Sequence, residues 1–131
     1  DCFHCHGDMT NPLWKDNLFH NNGLNSNHEG EDMGRYSVTL NSADIGKFKT
    51  PTLRNIELTG PYMHDGRFTT LEEVVDFYSS GLQNSPTIDP LMKNVSAGGA
   101  LLSPDEKIAL IAFLKTLTDT EFLVDPNLGA P

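Results

Sequence analysis

Cys2 and Cys5 are the only cysteines of the 131-residue chain, and His6 follows the second directly, so residues 2–6 read C-x-x-C-H. Thiols add across vinyl groups and an imidazole binds metal; this spacing is that of a covalent c-type haem attachment site. On a helix, residues three apart lie on one face, so both sulfurs can reach one porphyrin edge. His6 then comes under the ring as the proximal ligand, and the occupant of the other axial position decides the chemistry. Two other readings compete. A zinc site needs two more ligands, and His20, His28 and His64 are not paired at a ligand spacing. A redox disulfide belongs in a βαβ setting, and no such pattern flanks this one.

Candidates for the second axial position are Met9, Met33, Met63, Met92, Tyr36, Tyr62, Tyr78, His20, His28 and His64. Met9 is too close to His6 to cross to the opposite face of a ring. Met63 lies in a turn-rich loop that can reach the iron, and thioether sulfur suits a haem electron carrier. Tyr78 ends an apolar stripe and, on its own, reads as a core residue. Spacing alone therefore favours Met63.

The elements that must position these groups are short. Residues 2–9 are expected to form the haem-binding helix. Residues 10–35 read as a long loop with turns at Asn22-Gly23 and at 32–35. Residues 36–40 alternate weakly and read as extended or irregular; residues 52–56 read as a short helix, and 59–66 as a tight loop. Two helices are clearer. Thr69 or Thr70 caps one over 71–79, with Glu72 and Glu73 in its first turn and Leu71, Val74, Val75 and Tyr78 on one face. Gly81 ends it. Ser103-Pro104-Asp105-Glu106 opens the other with a capping box, and Ile108, Leu110, Ile111, Ala112, Leu114 and Leu117 suggest deep burial. Phe122 and Leu123 read as anchors of the tail, and Trp14 as a local packing residue.

Hydrophobic residues make up 37% of the chain, and the net charge is −9, from 9 basic and 18 acidic residues. So polar a chain folds more easily around a large apolar cofactor. Its charge excludes a nucleic-acid partner, which demands a basic footprint, and suits a small redox protein with a positive patch. No apolar run is long enough to span a membrane. No signal peptide is visible, yet covalent haem attachment normally takes place outside the bacterial cytoplasm. The chain is therefore expected to be an exported, periplasmic piece of something longer.

The run from Phe48 to Tyr78, with Lys49-Thr50-Pro51-Thr52-Leu53-Arg54-Asn55 and Pro61-Tyr62-Met63-His64-Asp65-Gly66, resembles the C-terminal haem domain of bacterial di-haem cytochrome c peroxidases and of the related MauG type. The haem motif, Phe19-His20-Asn21-Asn22-Gly23 and the capped closing helix fit the same pattern, so the resemblance covers essentially the whole chain. It implies a mainly α, class I cytochrome c-like domain with long loops, the C-terminal half of a di-haem protein. In that family the distal ligand lies 14 residues beyond the His of the H-D-G loop, which is Tyr78 here. The studied peroxidases carry Met there and the MauG type Tyr. The resemblance thus favours Tyr78, with Met63 as the alternative. It further implies a calcium ion held by the backbone carbonyls of Thr59 and Pro61, haem propionates neutralised by Arg54 and Lys49, and His64 in the haem surround. The implied activity is that of a di-haem oxidoreductase acting on hydrogen peroxide, either reducing it or using it to drive an oxidation. An N-terminal haem domain, of the same or a companion chain, would bind the peroxide. The competing readings are a stand-alone mono-haem electron carrier and a zinc-binding structural module.

Overall fold

Thr70 followed by two glutamates and an apolar stripe is the strongest helix-starting signal in the chain, and it yields the element on which the rest packs. The computed structural model describes residues 2–7 and 15–129; Met9 and Trp14 lie outside them. In chain order the helices are α1 (Phe3–His6), α2 (Tyr36–Thr39), α3 (Leu71–Ser80), α4 (Pro104–Lys115) and α5 (Thr120–Val124), and two strands, β1 (Phe19–His20) and β2 (Phe48–Lys49), form one antiparallel pair. Single 3₁₀ turns lie at Ser42–Asp44, Ile56–Leu58 and Val95–Ala97. Loops and turns connect these short pieces.

In α3 the Thr70 hydroxyl accepts the Glu73 N–H, and the Glu73 carboxylate accepts the Thr70 N–H at 3.0 Å. This reciprocal box satisfies two donors that a helix start leaves unpaired. Ser103 and Glu106 build the same box at the start of α4, with Pro104 as its first residue. Gly81 does end α3, but at φ −109°, not through a left-handed turn.

Two small cores result. Leu53, Leu71, Val75 and Leu114 form one, with Ile56, Tyr62, Leu110 and Leu117 packed on its edge. Leu24, Phe77 and Leu82 form the other, flanked by Met63, Phe68, Tyr78 and Met92. α3 contributes to both, and α4 packs across it.

Several elements differ from expectation. Residues 36–39 are helical: the Leu40 N–H bonds the Tyr36 carbonyl at 2.9 Å and Leu40 then turns at φ +54°. The alternation that suggested a strand is a solvent pattern, with Val38 and Leu40 both exposed. The short helix expected over 52–56 is instead a single 3₁₀ turn placed later, at Ile56–Leu58, because Asn55 is left-handed (φ +61°). Asn55 is buried as a joint, taking the Asp119 N–H on its side chain and giving its own N–H to the Leu117 carbonyl. α1 ends at His6, with Gly7 at φ +84° after it; residues 8 and 9 of the expected helix lie outside the described residues. Strand β1 interrupts the long loop. α4 is not deeply buried: Leu114 is, but Ile108 is 66% and Phe113 47% exposed. Its apolar residues surround the helix, and only one side meets α3. Phe122 and Leu123 are likewise partly exposed, in α5, with the Arg54 guanidinium 4.0 Å above the Phe122 ring.

This division of labour sets measurable costs. Leu71→Ala should cost about 2–5 kcal/mol by opening a cavity in a closed core, and Thr70→Ala about 1 kcal/mol through the lost cap. Leu123→Ala should stay within about 0.5 kcal/mol. Urea denaturation of the three variants measures this; equal losses at positions 71 and 123 would contradict the packing described.

Candidate haem site

α1 delivers the attachment motif in helical form, with the His6 N–H on the Cys2 carbonyl at 2.9 Å, and both cysteines are free thiols. His6 Nδ1 lies 3.1 Å from the Pro51 carbonyl oxygen. A carbonyl only accepts, so the proton belongs on Nδ1 and the metal-binding lone pair on Nε2. Fixing a ligand histidine from behind in this way is the usual role of an outer partner in a metal site. Pro51 belongs to the Lys49–Asn55 motif, so the two sequence signals meet at this bond.

The two candidates for the other axial position are brought to one point. The Asn22 amide nitrogen donates to the Tyr78 hydroxyl at 3.0 Å and to the Met63 sulfur at 3.6 Å. Burial pushes the Tyr78 phenol up to about 12; the Asn22 bond works against this, and the charges of Cys2 and Cys5 add to it. Met63 has φ +71°, unusual for a residue with a side chain. Two thiols, an imidazole with its proton fixed, and converging oxygen and sulfur donors fit a covalent haem.

Around the motif lies a charge clamp. The Asp16 N–H bonds the Cys5 carbonyl at 2.9 Å. The His20 ring, at the end of β1, is gripped between carboxylates, with Nε2 2.7 Å from Asp16 and Nδ1 2.6 Å from Asp89. Burial alone would lower the His20 pKa, but the bonds and charges of Asp89 and Asp16 outweigh it and hold it above 6.5. An imidazolium donates through both nitrogens, so both carboxylates are served. Burial pushes the Cys5 thiol up to about 11, helped by the charges of Asp16 and Asp89. Cys5, Asp16 and His20 are, among the described residues, the one cluster with metal-ligand spacing. Yet both imidazole nitrogens are already used and the thiol is held protonated, which disfavours the zinc reading.

The remaining expected residues are scattered. Arg54 is paired with Asp119 at 2.6 Å. Lys49 is exposed and reaches Asn17 Oδ1 at 3.3 Å. The His64 ring stacks on Phe48 with centroids 3.7 Å apart, and burial lowers its pKa. Thr59 and Pro61 are exposed, just ahead of the loop that the Tyr62 N–H to Phe68 carbonyl bond closes at 2.7 Å. Asn22, Asp16 and Asp89 join the site without being candidates on sequence grounds. The i, i+4 spacing of Asp16 and His20 was a usable signal; nothing in the sequence announced Asp89.

No protein-family model matches the chain. The cytochrome-c peroxidase IdrP1 of Pseudomonas sp. (strain SCT) is 46% identical over 99 residues, 74% of this chain and 25% of that protein. The methylamine utilization protein MauG of Methylorubrum extorquens is 37% identical over 120 residues, 88% of this chain and 30% of that protein. A crystal structure of a MauG-like protein associated with microbial copper homeostasis superimposes with a TM-score of 0.76 at 36% identity, covering 99% of this chain and 46% of that one. The chain belongs to the bacterial cytochrome c peroxidase and MauG family. It spans between a quarter and a third of the curated relatives quoted. Among the described residues no helix is long and apolar enough to cross a membrane.

The clamp gives this family member a pH signature. The raised His20 pKa contributes stability that is complete below 6.5 and lost as pH rises through the higher folded value. The lowered Asp16 pKa contributes stability that is present above 3.8 and lost as pH falls through the lower folded value. His20→Gln should therefore flatten the decline of the urea midpoint on the alkaline side of pH 6.5. Parallel pH profiles for the two proteins would rule the clamp out.

Proposed function

We propose that the chain is the haem c-bearing electron-relay domain of a periplasmic di-haem peroxidase, and forms its C-terminal half with a class I cytochrome c-like fold. Cys2 and Cys5 hold the haem: each S–H adds across a vinyl C=C, sulfur to one carbon and hydrogen to the other, with no atom lost. His6 Nε2 is the proximal ligand and Tyr78 the distal one, with Met63 as the alternative. The observation that carries this is the convergence of Tyr78 and Met63 on one amide donor, in a chain whose attachment motif is already helical and whose proximal imidazole is oriented by Pro51. Bound haem supplies reversible one-electron chemistry at iron.

The protein's own part is to orient the imidazole, keep the phenol buried and present an acidic surface to a basic donor protein. Peroxide, which takes two electrons and two protons to give two waters, would be handled by an N-terminal haem domain of the same or a companion chain. Reduction of peroxide and a MauG-like peroxide-driven oxidation both fit this relay role. Calcium at the carbonyls of Thr59 and Pro61 rests on the family resemblance and on the exposure of that loop; oxygen ligands suit the ion. Arg54 is engaged by Asp119, which favours Lys49 over Arg54 at a propionate; His64 belongs to the haem surround. The peroxidase and MauG names of the relatives disfavour the stand-alone carrier.

The test is acid–acetone extraction of the exported protein. Haem should stay with the chain, and a Cys2→Ala, Cys5→Ala double variant should release it. Release of haem from the unaltered protein would refute covalent attachment.

A further inference from the structure

Asn22 does more than line the site. Its amide nitrogen is shared between the two groups that compete for the distal position, the Tyr78 oxygen at 3.0 Å and the Met63 sulfur at 3.6 Å. Its carbonyl is pinned by the Leu24 N–H at 3.3 Å, which turns the NH₂ end toward that pair.

The loop carrying Asn22 is tied to the segment that follows α3. Asn21 is 1% exposed and donates to Ser85 and Thr87, both at 3.0 Å. The Asp89 N–H bonds the Asn21 carbonyl at 3.0 Å, and the Gln83 N–H the Gly23 carbonyl at 2.8 Å. Gly23 admits no side chain: φ is +76°, and a Cβ would lie 2.9 Å from the Gln83 carbonyl oxygen. Asn22 thus travels with the end of α3, and so with Tyr78. Met63 stands on a separate loop at positive φ.

An N–H bond is strong to oxygen and weak to a thioether. Resting on the reading that haem c is bound here, we propose that Asn22 is the positioning residue that selects Tyr78 over Met63 as distal ligand, by a hydrogen bond that only the oxygen can use fully. Asn22 itself touches neither iron nor substrate.

The experiment uses the ferric holo-protein and two variants. Asn22→Asp keeps the shape and removes the N–H donor; Asn22→Leu removes the polar group. In the unaltered protein the far-red sulfur-to-iron charge-transfer band should be absent. In both variants it should appear, with a rise in midpoint potential, because thioether ligation favours ferrous iron. Adding Met63→Leu to Asn22→Asp should abolish the band again, which a merely structural role for Asn22 would not produce. Asn22→Ser, which keeps a donor, should stay close to the unaltered spectrum. If Asn22→Asp binds haem and its spectrum and potential match those of the unaltered protein, the selection is wrong while Tyr78 ligation stands. If the unaltered protein already shows the sulfur band, the Tyr78 reading itself fails, and the selection with it.

Discussion

α3 cannot rotate. Leu71 and Val75 are locked into one core, and Phe77, two residues past Val75 and so on another face, into the other. A helix gripped by two cores on different faces has one setting about its axis, since turning it to improve one would expose the other. Burial of each such side chain stabilises by about 1.5–3 kcal/mol, so the setting is firmly held. Tyr78 follows from it: the side chain packs against the second core, with its hydroxyl on the Asn22 amide beside Met63. The capping box at Thr70 fixes where the helix begins, and therefore which residue falls at that point.

The opposite side of the site is held by polar bonds. His6 is oriented through the Pro51 carbonyl, and the loop beside Cys5 is fastened by Asp16, His20 and Asp89. In a chain of net charge −9 this single imidazolium between two carboxylates relieves repulsion where acidic groups crowd. The molecule thus holds the His6 side of the site with hydrogen bonds and the Tyr78 side with apolar packing. That division would suit the relay role proposed above, in which iron ligands should shift little as the metal changes charge.

What the sequence made legible was local. The attachment motif, the capped starts of α3 and α4 and the stripe through Leu71 and Val75 each depend on residues within one or two turns of one another. Sequence presents Tyr78 and Met63 only as competitors and hides their shared partner, because Asn22 is 56 positions from Tyr78 and reads as an ordinary turn residue. Asp89 meets His20 across 69 positions, with no periodic signal. The apolar residues of α4 misled in the other direction. Sequence shows that a residue is apolar, and tertiary packing decides whether anything covers it. The tail erred likewise, with Phe122 placed beneath Arg54 and left partly exposed.

The central claim is that α3 presents the Tyr78 oxygen to the iron of a haem carried by α1. Resonance Raman spectroscopy of the ferric protein addresses it directly, because iron-bound phenolate has ring and iron–oxygen vibrations that thioether ligation lacks. The account predicts those modes in the unaltered protein, shifted when tyrosine is isotopically labelled and lost in Tyr78→Phe. Their absence from the unaltered protein, or their persistence in Tyr78→Phe, would contradict it.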